Sequence, residues 1–139
     1  MVTNPKIKGF NPLRWDCKRY GCFNVKRRPK IQAFAECFPR GINFGDVDGM
    51  VELAGAFCLL EWKGDGGTIK TGQRLSYIKF TQFHGNIVFL VNGDAETMEV
   101  KDYSIFWKGK QGRLIAGNLW DVKQRMRDWA KWMETDAWK

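Results

Sequence analysis

The stretch GDVDGMVELAGAFCLLEWKG, Gly45–Gly64, decides how this chain folds. Two runs rich in Val, Leu, Phe and Trp flank Ala54-Gly55, the pattern of two antiparallel strands joined by a two-residue turn. If Leu53 faces Ala56, then Val47, Val51 and Leu53 share a face with Cys58, Leu60 and Trp62, and that apolar face is expected to meet the core. The other face opposes Asp46 to Lys63, Asp48 to Glu61, Met50 to Leu59 and Glu52 to Phe57. Opposed side chains have Cβ atoms about 4.5–5.5 Å apart, so two carboxylates there repel. A divalent cation removes that penalty, because hard cations take carboxylate oxygens. Lys63 lies two residues past Glu61, about 6.6 Å along the same face. An ammonium there can orient water or steady charge developing on a phosphate. Asp46 reads either as a second ligand or as the ion-pair partner of Lys63. A surface ion pair alone contributes little and does not account for Met50, Leu59 and Phe57 beside it, so a partly covered site is expected.

Outward from the hairpin, the element order reads α-β-β-α-β-β-α, a mixed α/β domain. PKIQAFAECF starts at Pro29, which suits a first helical position. It places Ile31, Phe34 and Phe38 on one face of a short amphipathic helix, with Glu36 roughly opposite. TGQRLSYIKFTQF, from Thr71, reads as a helix. NIVFLV is continuously apolar, the mark of a buried strand, and Asn92-Gly93 follows as a turn. MEVKDYSIFWKG alternates Tyr103, Ile105 and Trp107 and reads as a strand. Residues about 118–135 open on a good N-cap, Asn118, and stripe Leu119, Val122, Met126, Trp129 and Met133 along one helical face. The chain of 139 residues is read as a single domain, 1–139.

The net charge of +8 has one source. Residues 1–30 carry nine Lys or Arg against Asp16 alone, and the remaining residues balance to zero. Arg14, Lys18, Arg19, Lys26, Arg27, Arg28 and Lys30 alternate with Trp15, Tyr20 and Phe23. A basic segment over 1–28 interleaved with aromatics suits a polyanion with stackable bases. A solubilising arm is the plainer alternative. Pro5, Gly9, Pro12 and Gly21 break the amphipathic helix that a membrane surface would need. No apolar run is long enough to span a bilayer and no secretory leader is apparent, so no membrane partner and a cytoplasmic location (host cytoplasm for a viral protein) are expected. Reduced thiols then fit Cys17, Cys22, Cys37 and Cys58 better than a zinc site, whose ligands come in tighter pairs. His84, after a helix and before Gly85, reads as a capping or surface residue.

Asp48, twelve intervening residues and then Glu61-Trp62-Lys63 resemble the PD-(D/E)XK nuclease superfamily, with an Asp on one strand and (D/E)-x-K on the next. The spacing is similar to that of archaeal Holliday-junction resolvases. Gln73 to Tyr77, QRLSY, is similar to the Q-x-x-x-Y motif of lambda-exonuclease and RecB-type nucleases, and the two residues share a helix face at i, i+4. The resemblance covers about residues 29–91. It departs from the pattern at Val47, where the motif's proline would stand.

The resemblance implies a restriction-endonuclease-like α-β-β-β-α-β core flanked by helices. It implies Asp48 and Glu61 as ligands of Mg²⁺ (or Mn²⁺), Lys63 positioning the attacking water, and Gln73 supporting the site. Asp46, Glu36 and Tyr77 are auxiliary candidates. The expected activity is metal-dependent hydrolysis of DNA phosphodiesters, endonucleolytic, on duplex or branched DNA such as a Holliday junction, by a phage-type enzyme that could work as a homodimer. The competing expectation is a non-catalytic nucleic-acid-binding or interaction protein that reuses the fold.

Overall fold

The computed structural model describes Lys18 and residues 29–42, 44–64 and 67–135. They fall into two units, Met1–Asp46 and Val47–Lys139. In the first, Ile31–Cys37 form a 3-10 helix with no buried residue. This corrects the amphipathic α-helix starting at Pro29. Lys30 is the N-cap and provides no side-chain hydrogen bond, and so short a segment cannot sustain α-helical bonding without a cap or a covered face. Phe34 and Phe38 instead each meet the ring of Phe44 edge-on, with centroids 5.8 and 5.4 Å apart.

The second unit is a mixed sheet with a helix on each face. Strand β1 (Gly49–Leu53) pairs antiparallel with β2 (Ala56–Lys63), with Leu53 opposite Ala56. Both turn residues have positive φ, 52° at Ala54 and 88° at Gly55, as a type I′ turn requires. Glu52 Oε2 accepts the Gly55 amide at 2.7 Å, which braces the turn. Helix α1 (Thr71–Phe80) then crosses over to β3 (Ile87–Asp94), which lies parallel to β2. Strand β4 (Glu99–Trp107) runs antiparallel to β3, and two short strands, β5 (Lys110–Gln111) and β6 (Ile115–Ala116), both pair with β4. Helix α2 (Leu119–Glu134) closes the order. The α/β class and the mixed sheet match the expectation, whereas the element order differs from it by a 3-10 helix in place of the first α-helix and by the added strands β5 and β6. Among the described residues, two strands precede the crossover helix, where the implied core has three.

Alternation along the strands splits the core. Cys58, Phe89, Val91 and Tyr103 pack with Val122, Trp129 and Met133 of α2. Leu59, Val88, Leu90 and Phe106 pack with Tyr77 of α1. Helix α2 begins at a capping box, in which Asn118 and Asp121 each accept the other's backbone amide. Asn86 is buried and ties α1 to the sheet, accepting from the Phe57 amide at 2.9 Å and donating to the Phe80 carbonyl at 3.1 Å.

Two expectations are corrected. Strand β1 starts only at Gly49, and as the edge strand among the described residues it leaves Val51, like Val47 before it, exposed, while Leu53, Leu60 and Trp62 pack with Cys58 on the core face that alternation suggested. Asn92-Gly93 lies within β3 at a bulge, and the turn comes later, over residues 95–98. A Cβ on Gly93 would run into the Glu99 carbonyl, so glycine is there for close strand approach rather than for a reversal. No helix among the described residues is long and apolar enough to cross a membrane.

Candidate active site

Glu61 points from β2 toward α1, as its odd position on the strand demands, and is 5% exposed. Burying a carboxylate is costly unless it is paired and hydrogen-bonded. Three side chains meet that requirement. Gln73 Nε2 donates to Glu61 Oε1 at 2.9 Å. The Tyr77 hydroxyl donates to Oε2 at 2.9 Å. Lys63 Nζ lies 3.0 Å from Oε1. Gln73 Nε2 also reaches the Tyr77 oxygen at 3.2 Å, so the group is a closed network. Gln73 and Tyr77 reach one carboxylate because they sit one helical turn apart on α1.

Burial, reinforced by the hydrogen bond and the charge of Glu61, drives the Tyr77 phenol well above its ordinary range. Tyr77 is therefore a fixed neutral donor. The Asp48 carboxylate contributes to the same shift, which places its charge within electrostatic reach of the Tyr77 hydroxyl.

Asp48 differs from its expected position. The ladder begins at Gly49, opposite Leu60, so Asp48 is a bend residue and forms no cross-strand pair with Glu61. Its Oδ2 accepts the backbone amide of Trp62 at 2.6 Å. That bond satisfies a donor beyond the end of the ladder and fixes the exposed carboxylate beside the Glu61 segment.

Asn92 and Asp102 were not anticipated in this region. Lys63 pairs with Asn92 across β3, and Asn92 with Asp102 across β4, forming one polar row on the α1 face. Asn92 Nδ2 donates to Asp102 Oδ1 at 2.6 Å. The row lies at the carboxyl ends of the parallel pair β2 and β3, where α/β sheets commonly present their sites. Asn92-Gly93 looked like a turn in the sequence, which hid it.

Glu36 and Asp46 belong to the first unit. Lys18 and Lys30 are exposed, while Arg14, Arg19, Lys26, Arg27 and Arg28 lie outside the described residues. Of the cysteines, Cys37 is exposed and Cys58 buried. The His84 ring lies 5.8 Å from that of Trp132.

The donor chemistry suits one class of cation. Among the described residues no cluster of three or more His, Cys, Asp or Glu side chains occurs, so a closed zinc or calcium cage does not fit. Asp48 and Glu61 do fit Mg²⁺ or Mn²⁺, which bind through one or two carboxylates and retain water or take substrate phosphate as the remaining ligands. Comparison of the chain with family models, characterised proteins and solved structures finds no match.

Proposed function

We propose that this protein is a metal-dependent deoxyribonuclease that hydrolyses DNA phosphodiesters at Asp48, Glu61 and Lys63. The observation that carries the reading is the buried Glu61 carboxylate held by Lys63, Gln73 and Tyr77 next to the fixed Asp48. A fold needs no buried ion pair at this point, and one is weak evidence of stability by itself.

Bound Mg²⁺ or Mn²⁺ would supply a more acidic water and neutralise charge on the phosphate. The chain's own contribution is positional. Asp48 and Glu61 offer hard oxygen ligands from adjacent segments. Gln73 and Tyr77 hold Glu61 in one orientation, and such supporting contacts commonly matter 10- to 100-fold. Lys63 is the more exposed member of its ion pair, 25% against 7%, and is the group able to turn from Glu61 toward water or phosphate. The basic residues of 1–28 would hold the DNA backbone, overcoming the repulsion that two carboxylates present to it. Action on branched or duplex DNA, endonucleolytic cleavage and a homodimeric form belong to the same proposal, as does the restriction-endonuclease-like core.

The test is cleavage of linear, circular, single-stranded and branched DNA with Mg²⁺, with Mn²⁺ or with EDTA. Divalent-dependent cleavage is expected, lost in Glu61→Gln and Lys63→Ala and reduced about 10- to 100-fold in Gln73→Ala. Cut circles identify an endonuclease. Tight DNA binding without cleavage in any metal would overturn the reading in favour of a non-catalytic nucleic-acid-binding protein.

A further inference from the structure

The opposite face of the sheet carries a second concavity. A cleft of about 430 Å³ opens between β3, β4 and α2, within the size range of small-ligand sites. Ile87 and Ile105 form its floor, and Trp107 and Trp132 stand against it. The two indoles meet edge to face at 5.3 Å, so the edge of one lies on a face of the other and the remaining indole faces are the ones open to a ligand; the His84 ring lies 5.8 Å from that of Trp132. Trp129 is locked beneath, its indole donating to the Gly85 carbonyl at 2.7 Å. Lys108, in the turn after β4, and Arg125, one helical turn before Trp129, are exposed at the rim. Among the described residues neither cation is in an ion pair. Asp128 also lines the rim, accepting from Gln124 Nε2 at 3.2 Å.

These features select a ligand class. Indole faces over an aliphatic floor take a flat aromatic ring, since base–aromatic stacking tolerates any base. Two free cations at the mouth take an anion attached to that ring. A carboxylate beside them accepts from exocyclic amino groups. An aliphatic side chain or a lipid tail would use the floor and leave both cations unexplained. A stacked, paired base in a duplex cannot enter.

The geometry points to a nucleotide-binding site in which an unpaired base stacks in the Trp107–Trp132 cleft while its phosphate is held by Lys108 and Arg125. The strands alternate, so this site lies on the far side of the sheet from Glu61 and does not depend on the nuclease reading. A nucleotide could arrive within a single strand or as a free mononucleotide.

The probe is a tetranucleotide carrying 5-iododeoxyuridine, cross-linked by light to the full chain and mapped by mass spectrometry, with affinity read by fluorescence anisotropy. Cross-links at Trp107 or Trp132 are expected. Lys108→Asn with Arg125→Gln should weaken binding about tenfold, as for a lost charge-assisted contact, with an unchanged melting temperature; Asn suits the positive φ of 53° at position 108. Trp132→Leu should weaken it further, and the charge variants decide the matter if that variant does not fold. Competition by dAMP identifies a free mononucleotide as a ligand, and its absence identifies the strand. Cross-links confined to residues outside the cleft, or unchanged affinity in the folded charge variant, would overturn the site. DNA cleavage is not among the readouts, so loss of the nuclease reading and loss of this one are distinguishable.

Discussion

The Tyr77 hydroxyl donates to Glu61 Oε2 at 2.9 Å, and Gln73, one turn earlier on the same helix, donates to Oε1 of the same carboxylate. One helix face thus holds both oxygens of a carboxylate buried in the sheet. Tyr77→Phe removes a donor without changing shape. It should lower stability by about 1–3 kcal/mol, the cost of an unsatisfied buried acceptor. Urea denaturation at neutral pH measures it, and an unchanged midpoint would mean that water or another group replaces the phenol at no cost.

Lys63→Met leaves Glu61 without its cation. The loss should fall near the lower end of about 1–3 kcal/mol, because Lys63 is partly exposed and solvent screens the pair. Glu61→Gln combined with Lys63→Met should recover part of it. A double-mutant cycle reads the coupling, which is expected to favour the native pair by about 1 kcal/mol.

Alkaline pH should destabilise the protein through Cys58. Burial pushes its thiol up to about 11 from an ordinary value of 9.0. Between those values the unfolded chain has lost the proton and the folded chain retains it. The unfolded state binds fewer protons there, so stability falls as pH rises through that window and is unaffected by this group below it. The loss is roughly 3 kcal/mol at most. Denaturation midpoints of the native chain and Cys58→Ala across the window give the measurement. The variant should show a shallower slope, with Tyr77 accounting for alkaline loss that remains.

Two backbone positions give opposite outcomes. Ala54 has a φ of 52°, a conformation that costs an ordinary residue about 1–2 kcal/mol and that Asn tolerates. Ala54→Asn should therefore stabilise by about 0.5–1 kcal/mol. Gly93→Ala should destabilise by more than about 2 kcal/mol, because its Cβ meets the Glu99 carbonyl in the neighbouring strand. Thermal melts of both variants give the signs directly.

Much of this was legible because its signals are local. The Ala54-Gly55 reversal fixes the Leu53–Ala56 pair, strand parity places Glu61 and Lys63 on one face, and i, i+4 spacing joins Gln73 to Tyr77. Asn118 announces the start of α2. What escaped depends on distant neighbours. Alternation cannot show that β1 is an edge strand, so Val51 looked internal. It cannot show where pairing stops, so Asp48 was placed opposite Glu61 instead of on the Trp62 amide. Asn92-Gly93 has the residues of a hairpin turn, but β3 continues through it and bulges, and the Asn92–Asp102 contact exists only because β4 lies alongside.

The two acids also differ in how they should breathe. Glu61 belongs to β2, which is paired on both sides and sealed by α1. Asp48 hangs from the free end of β1, the exposed edge strand. Sub-global openings begin where few apolar contacts and many solvated backbone bonds coincide. The amides of β1 should exchange with deuterium long before those of β3, so Asp48 could detach and return while Glu61 stays locked in the folded sheet.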